Sequence, residues 1–445
     1  MSHLVISVSG LRGIVGESLT ADVAMCYISA FAHELPSGPI VVTRDGRESG
    51  PMLATAISSA LKSIGRECLD AGVAATPTTG VLVRQLKAAG GIQISASHNP
   101  REYNGLKLFD TTGRVIPAAA GQRVLDRYQS QQPCSISLDQ SGEARVIEDT
   151  TSAHKELVLA NCDVERIRAC KFRVLVDANH GSGSVLAVPM LESLGCKVTV
   201  LGGTPDGQFA HLPEPTSENL VSVLEEVRTQ GAAVGFCQDP DADRLAVIDE
   251  RGRYVGEEFT LAMVVDHVLR HKPGPVVTNC STSRMTQDLA EKYRVPFFRS
   301  QVGEANVVDK MLEVNAVLGG EGNGGVIDPR VGLVRDSFVG MALLLDAMAA
   351  REMPVSALAD ELPQYAIHKS KVTLSAEKVA ESFNLLEKHF ADATADRLDG
   401  LRLDWPGKWL LIRASNTEPI VRIFAEAPTP TEAKRLCDET AELLG

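Results

Sequence analysis

The chain has no Cys-x-x-Cys pair, and its nine cysteines are odd in number and scattered over 445 residues. That spacing fits neither a disulfide framework nor a zinc site, and it predicts reduced thiols in the cytoplasm. There is no excess of positive charge: 44 Lys and Arg stand against 57 Asp and Glu, for a net charge of −13. Nucleic acid and anionic membrane surfaces are therefore not expected as partners, whereas a small anionic substrate needs only a local group of donors. No run reaches the ~18–20 apolar residues of a membrane span. The stretch from Met1 to Val5 has no basic segment leading into an apolar one, so no signal peptide is expected.

What is present is ordinary globular material, 44% hydrophobic and 23% charged. The length suggests roughly three domains, with two to four allowed. Apolar-alternating runs and capped amphipathic stretches succeed one another as strand and helix. Thr20 caps a helix to about residue 35, residues 39–43 form a strand, and residues 49–64 a helix. Thr76-Pro77 opens a helix to about residue 89, and residues 91–95 form the next strand. A polar stretch at about 129–150 reads as a linker. Two further α/β units follow. The last segment, from about residue 364, reads as a strand, a helix at residues 375–389, two strands around residues 409–412 and 420–424, and a final helix from residue 431. It is shorter and differently ordered, as expected of an α+β domain.

Each unit delivers one unusual loop. In the first, Ser95-Ala96-Ser97-His98-Asn99-Pro100 follows a strand, and Asn99-Pro100 ends regular structure. Ser97 thus sits in a tight loop at a strand's C-terminal end, where α/β proteins bind ligands, although such a loop is also a common turn. Upstream, Arg12 is the one cation in a glycine-rich connection, residues 9–16, that suits phosphate. Downstream, Lys107 either faces solvent from a strand or returns beside the serine loop.

In the second unit, Asp239, Asp241 and Asp243 place three carboxylates within five residues, followed by Arg244. Packed together they share a cation, and all-oxygen ligands suit Mg²⁺ or Mn²⁺. The same run fits an exposed acidic turn, or a phosphatase with an aspartate nucleophile. In the third unit, Glu321-Gly322-Asn323-Gly324-Gly325 offers a carboxylate and an amide suited to sugar hydroxyls, or a plain hairpin. In the fourth, Arg413, Ser415, Asn416, Thr417 and Arg422 offer either a phosphate clamp or a polar turn.

Together, and in this order, Ser95–Pro100, Asp239–Arg244, Glu321–Gly325 and Arg413–Arg422 resemble the α-D-phosphohexomutase superfamily along essentially the whole chain. The resemblance implies three similar α/β domains with mixed sheets plus a smaller C-terminal α+β domain around a central cleft. Their expected bounds are 1–150 for the phosphoserine loop, 151–253 for the metal loop, 254–364 for the sugar loop and 365–445 for the phosphate loop. It implies a monomer or homodimer acting on a small sugar phosphate, with one Mg²⁺ per chain and a hexose 1,6-bisphosphate as activator.

It also implies residue roles. Ser97 would carry the phosphoryl group, with Mg²⁺ held by Asp239, Asp241, Asp243 and a phosphoserine oxygen. Arg12 and Lys107 would flank the transferring group, and Lys107 or His98 would help with protons. Arg244 would support the metal loop and Glu321 would grip sugar hydroxyls beside Asn323. Arg413, Ser415, Asn416, Thr417 and Arg422 would hold the other phosphate. Family members often have serine where this chain has Asn323 and histidine where it has Gly325, which leaves the general base open. The Glu-Gly-Asn-Gly-Gly form and the opening at residues 9–16 look most like archaeal-type phosphoglucosamine mutases. Interconversion of glucosamine 6-phosphate and glucosamine 1-phosphate is the expectation, with phosphomannomutase/phosphoglucomutase activity as the alternative.

Overall fold

The computed structural model describes residues 4–7, 9–130, 141–374, 376–414 and 420–444. Elements run in chain order. First come β1 (Val5–Ser7), β2 (Gly10–Ile14), α1 (Ala21–Glu34), β3 (Ile40–Arg44), α2 (Gly50–Ser63), β4 (Cys68–Val73) and α3 (Thr76–Gln85). Next are β5 (Gly90–Ile94), β6 (Tyr103–Phe109), α4 (Ala118–Gln129), β7 (Ala144–Val146), α5 (Ser152–Leu159) and α6 (Val164–Cys170). Then follow β8 (Arg173–Asp177), α7 (Ser184–Ser193), β9 (Lys197–Leu201), α8 (Val221–Thr229), β10 (Val234–Gln238), β11 (Leu245–Asp249) and α9 (Glu257–His271). After these come β12 (Val276–Asn279), α10 (Met285–Tyr293), β13 (Phe297–Ser300), α11 (Glu304–Val314), β14 (Leu318–Glu321), β15 (Gly325–Ile327), α12 (Ser337–Arg351) and α13 (Val355–Asp360). The chain closes with β16 (Ala366–Thr373), α14 (Ala376–His389), β17 (Thr394–Asp396), β18 (Leu401–Trp405), β19 (Lys408–Ala414), β20 (Ile420–Ala427) and α15 (Pro430–Leu444).

Two compact units result: Met1–Val268 with Asn323–Ala359, and Leu269–Gly322 with Asp360–Gly445. The first holds a seven-stranded mixed sheet, ordered β1-β2-β6-β5-β3-β4-β7, and a four-stranded mixed sheet, ordered β11-β10-β8-β9. The larger sheet is covered on both faces because residues of β3 alternate: Ile40 and Val42 pack with α1 and α2, while Val41 packs with α3. Helix α1 earns its place by spacing. Thr20 accepts the Val23 N–H at 3.3 Å as its cap, and Ala24, Tyr27, Ile28 and Phe31 line the buried stripe. Burying a side chain such as Ile28 or Phe31 contributes about 1.5–3 kcal/mol each. The second unit holds the parallel strands β13-β12-β14 and a five-stranded antiparallel sheet, ordered β16-β20-β19-β18-β17.

Four expectations need correction. Arg12 lies in strand β2, antiparallel to β6, rather than in a loop. The glycines there allow close strand approach: a Cβ on Gly105 would lie 2.6 Å from the Leu11 carbonyl oxygen. The stretch taken as a linker contributes β7, which adds parallel to β4. Glu321 ends strand β14 and Gly325 begins β15, so the loop itself is residues 322–324. The C-terminal sheet has five strands, where periodicity showed three, because β17 and β18 are short and β18 is largely buried. No described helix is long and apolar enough to cross a membrane.

Candidate functional site

Strand β5 ends at Ile94, and the chain turns at once. Ser97 takes a left-handed backbone, φ +49°, which costs an L-residue roughly 1–2 kcal/mol. Its N–H donates to Ser95 Oγ at 2.8 Å, and Ser95 Oγ donates to the buried Asp45 carboxylate at 2.7 Å. Ser97 Oγ donates to Asp239 Oδ2 at 2.6 Å, although the two residues lie far apart in the chain. His98 Nδ1 stands 3.3 Å from the same hydroxyl. Burial, then the charges of Arg244 and Arg12, pull the His98 pKa down to about 3, so its imidazole is neutral near pH 7.

The aspartate run turns between β10 and β11. Ala242 has φ +56°, and its carbonyl is held by Ser337 Oγ at 2.7 Å. The Pro240 carbonyl accepts both the N–H and the hydroxyl of Ser182. Gly181 is required there, since a Cβ on it would lie 2.5 Å from the Pro240 oxygen. Asp239, Asp241 and Asp243 are fully buried. Asp241 Oδ2 accepts from Thr76 Oγ1 at 2.6 Å and Lys107 Nζ at 3.3 Å. Asp243 Oδ2 accepts from Lys107 Nζ and Arg335 Nη2, both at 2.7 Å. Lys107 therefore returns beside the serine loop. Asp239 Oδ1 accepts the Arg244 N–H at 3.1 Å.

Charge is shared unequally across the three. Burial and the two neighbouring carboxylates push Asp239 well above the usual carboxylate range. Burial is the largest influence on Asp241 and Asp243 and opposes their ionisation. Lys107, hydrogen bonds from Asp239 and Thr76, and Arg12 together outweigh it for Asp241, and Arg335, Lys107 and Arg244 together for Asp243, so both are lowered. Asp241 Oδ1 and Asp243 Oδ1 are buried and have no hydrogen-bond partner. Leaving such atoms unsatisfied costs about 1–3 kcal/mol each. One oxygen from each aspartate comes within 4.8 Å of the others. Three converging buried carboxylates, two of them with one oxygen unpartnered and the other bonded to a cation, fit a hard divalent cation such as Mg²⁺.

Arg12 faces this region from β2, its Nη1 donating to Asn99 Oδ1 at 3.1 Å. Burial is the main influence lowering its pKa. Asn323 Oδ1 accepts the Gly325 N–H at 3.2 Å. A Cβ on Gly325 would lie 2.3 Å from Arg335 Cδ. Glycine at 325 thus goes with Arg335 reaching Asp243.

In the second unit, Glu321 is 5% exposed. Its Oε1 accepts from Asn279 Nδ2 at 2.8 Å and the Gly303 N–H at 3.1 Å. Arg413 and Arg422 sit directly opposite each other on β19 and β20, and Lys371 lies opposite Arg422 on β16. Like charges in register repel. Asp399 relieves part of this by pairing with Arg413 at 2.9 Å, and the row is suited to an anion. Ser415, Asn416 and Thr417 lie outside the described residues.

Four family models match in succession: phosphoglucomutase/phosphomannomutase α/β/α domain I over residues 4–133, domain II over 152–252, domain III over 257–365 and the C-terminal domain over 371–443. A Thermococcus kodakarensis protein named phosphoglucomutase/phosphomannomutase is 37% identical, the match covering 98% of this chain and 97% of that one. The chain belongs to the α-D-phosphohexomutase superfamily. A Sulfurisphaera tokodaii phosphoglucosamine/phosphogalactosamine mutase is 32% identical, covering 98% of each chain. A solved phosphoglucomutase/phosphomannomutase family protein from Burkholderia thailandensis superposes with TM-score 0.82 at 28% identity, covering 99% of this chain and 98% of that one. The protein is thus a phosphohexomutase, an isomerase, with three α/β domains and a smaller C-terminal domain.

Sequence reasoning did not single out Thr76, Arg335, Lys371 or Arg47 in this phosphohexomutase. Thr76 reads as a helix cap, but the cap position is Ala75 and the Thr76 hydroxyl is directed at Asp241. Arg335 carries no local signal, because its partner is distant in sequence. Lys371 could have been found by aligning the strand from residue 366 antiparallel to the one from residue 420.

Proposed function

We propose that this phosphohexomutase interconverts glucosamine 6-phosphate and glucosamine 1-phosphate through a phosphorylated Ser97 and a 1,6-bisphosphate. The observation that carries the phosphoserine reading is the 2.6 Å bond from Ser97 Oγ to Asp239, beside two buried carboxylate oxygens that lack partners. A serine oxygen facing a cation-ready cage is what phosphoryl transfer needs, since the protein's main task is positioning and charge stabilisation.

Phosphoserine carries about −1.5 to −2 charge near pH 7. Asp239, Asp241, Asp243 and Ser97 would hold Mg²⁺, which when bound neutralises charge between the phosphoserine and the incoming anion. Ser97 positions the phosphoryl group. Its Oγ–P bond breaks as a sugar hydroxyl oxygen bonds to phosphorus, and that hydroxyl's proton passes to the neutral imidazole of His98, while Lys107 stays protonated and flanks the transferring group as a cation. After the bisphosphate reorients, the other phosphoryl group returns to Ser97. Arg12 flanks the transferring group, and Arg244 steadies Asp239 through its N–H. Arg413, Arg422, Ser415, Asn416 and Thr417 would grip the phosphate that is not reacting. Glu321 and Asn323 would meet the sugar hydroxyls or a substrate ammonium. A hexose 1,6-bisphosphate would serve as activator by priming Ser97.

The glucosamine reading is supported by the buried Glu321 carboxylate and by the relative named phosphoglucosamine/phosphogalactosamine mutase. Mixed phosphomannomutase/phosphoglucomutase activity is favoured by the 37% identical relative of that name. Turnover compared on glucosamine, glucose and mannose phosphates, with Mg²⁺ and the matching bisphosphate, separates the two. Strong preference for glucosamine upholds the proposal. Equal or better rates on glucose or mannose move it to the second reading, and phosphate release without isomerisation defeats both.

A further inference from the structure

The Ser97 loop rests on a side chain that has no part in the steps above. Arg47 follows β3 and is 2% exposed. A guanidinium has five N–H donors in a rigid fork, and here the fork is fully used. Nε donates to Asp45 Oδ2 at 3.0 Å. Nη1 donates to the carbonyls of Pro100 and Tyr103 at 2.7 and 2.9 Å. Nη2 donates to the carbonyls of Ser97 and Asn99 at 2.6 and 2.7 Å. The Asp45 carboxylate that receives Nε also receives Ser95 Oγ, which in turn accepts the Ser97 N–H. Both the amide and the carbonyl of Ser97 are therefore tied to the Arg47–Asp45 pair.

The pair is sealed from water. The Phe209 ring lies 5.0 Å from the guanidinium carbon. Gly207 lets its segment close over Arg47, since a Cβ there would stand 2.8 Å from Arg47 Cα. In this dry setting the left-handed backbone of Ser97 is held by bonds on both sides. A strained conformation of this kind persists only when its surroundings impose it.

We propose that Arg47 is a positioning residue for phosphoryl transfer: its guanidinium imposes the left-handed backbone at Ser97 and so aims Oγ toward Asp239. This rests on the phosphoserine reading. Arg47 touches no reacting atom, so its loss acts on kcat and leaves substrate affinity largely unchanged. Lysine cannot replace it, because a compact ammonium lacks the fork that reaches carbonyls spread along the loop.

The test uses the full chain and three variants: Arg47→Lys, Arg47→Ala and Ser97→Ala. Phosphate uptake from glucose 1,6-bisphosphate is read by intact mass, alongside kcat, KM, thermal melting, and the crystal structure of Arg47→Lys. Misplacing a reacting group by about an ångström costs on the order of 100-fold. The expected result is a kcat lowered about 100-fold in Arg47→Lys, with KM within about threefold, slow uptake at Ser97, and Ser97 out of the left-handed region. Added guanidinium should restore Arg47→Ala at least about tenfold, and restore Arg47→Lys and Ser97→Ala not at all. Retained loop geometry with kcat within about threefold of wild type in Arg47→Lys overturns the proposal. So does a loss that only tracks melting and resists guanidinium. A wild-type chain that takes up no phosphate overturns the phosphoserine reading, and with it any transfer role for Arg47, even if the Ser97 backbone moves in Arg47→Lys.

Discussion

Two buried charge clusters in this protein are built to opposite rules. In the second unit, Arg402 is 2% exposed and lies 4.3 Å over the Trp409 ring. Its Nε and Nη2 donate to the two oxygens of Asp404, both at 2.9 Å, and Nη1 donates to the Cys280 carbonyl. Arg299 reaches the same two oxygens at 3.2 and 3.3 Å. Both Asp404 oxygens and all three Arg402 nitrogens are thus bonded within the fold. In the first unit, Lys107 and Arg335 bond to Oδ2 of Asp241 and Asp243, and the two Oδ1 atoms stay without hydrogen-bond partners. A closed cluster stabilises the fold. Carboxylate oxygens left open among converging carboxylates are destabilised until something arrives, and that is the physical mark of a cation site.

The comparison can be broken most directly at the serine. Ser97→Ala removes the oxygen that takes the phosphoryl group, so turnover should fall at least about 1,000-fold and mass gain from a bisphosphate should vanish. Near-normal turnover in that variant would place the chemistry elsewhere, with Asp239 as nucleophile the first alternative.

At the open cluster, Mg²⁺ should stabilise the wild-type chain by about 2.7 kcal/mol at 100 times its Kd, seen as a raised melting temperature. Asp241→Asn should lose that gain and about 100-fold or more of turnover. In chelator its stability should lie within about 1 kcal/mol of wild type, because the substitution also removes a repelling charge. Titration calorimetry and chelator-matched melts check this, and equal Mg²⁺ stabilisation in both chains would refute the assignment.

The closed cluster should behave in reverse. Arg402→Met leaves the partly exposed Asp404 carboxylate with Arg299 alone, so urea denaturation should show a loss of about 2–3 kcal/mol. That loss should not depend on Mg²⁺.

The smallest effect is expected at His211, whose Nε2–H donates to Asp177 Oδ2 at 2.7 Å. Burial favours the neutral ring, but the hydrogen bond and charge of Asp177 outweigh it and raise the pKa. The pair's contribution is then full below about pH 6.5 and lost as pH rises through the raised value. His211→Phe should cost about 1–2 kcal/mol at pH 5.5 and less at pH 9. A cost that is the same at both pH values would show that packing alone is involved.

Much of this was legible along the chain. Thr20 as a cap, the apolar spacing of α1, and the strand ends before Ser95 and Asp239 are local signals, set by periodicity and side-chain hydrogen bonding within a few residues. The short edge elements β7 and β17 were missed because they carry few apolar residues and owe their existence to a neighbouring strand. Arg12 was misplaced in a loop because glycines that permit close strand approach look, in one dimension, like glycines that make turns.

The residue types of the site are a property of the sequence alone: a serine, three aspartates, a glutamate and a set of basic side chains, each in a recognisable stretch. Which oxygen of which aspartate is satisfied was decided only in three dimensions. Thr76, Lys107 and Arg335 come from separate elements, and their convergence on Asp241 and Asp243 has no trace in any local pattern. The same holds for Arg47, whose five bonds link two strand ends through the interior. Short-range forces write secondary structure into the order of residues, but a hydrogen bond between distant residues exists only once packing has removed the water that would otherwise compete for it.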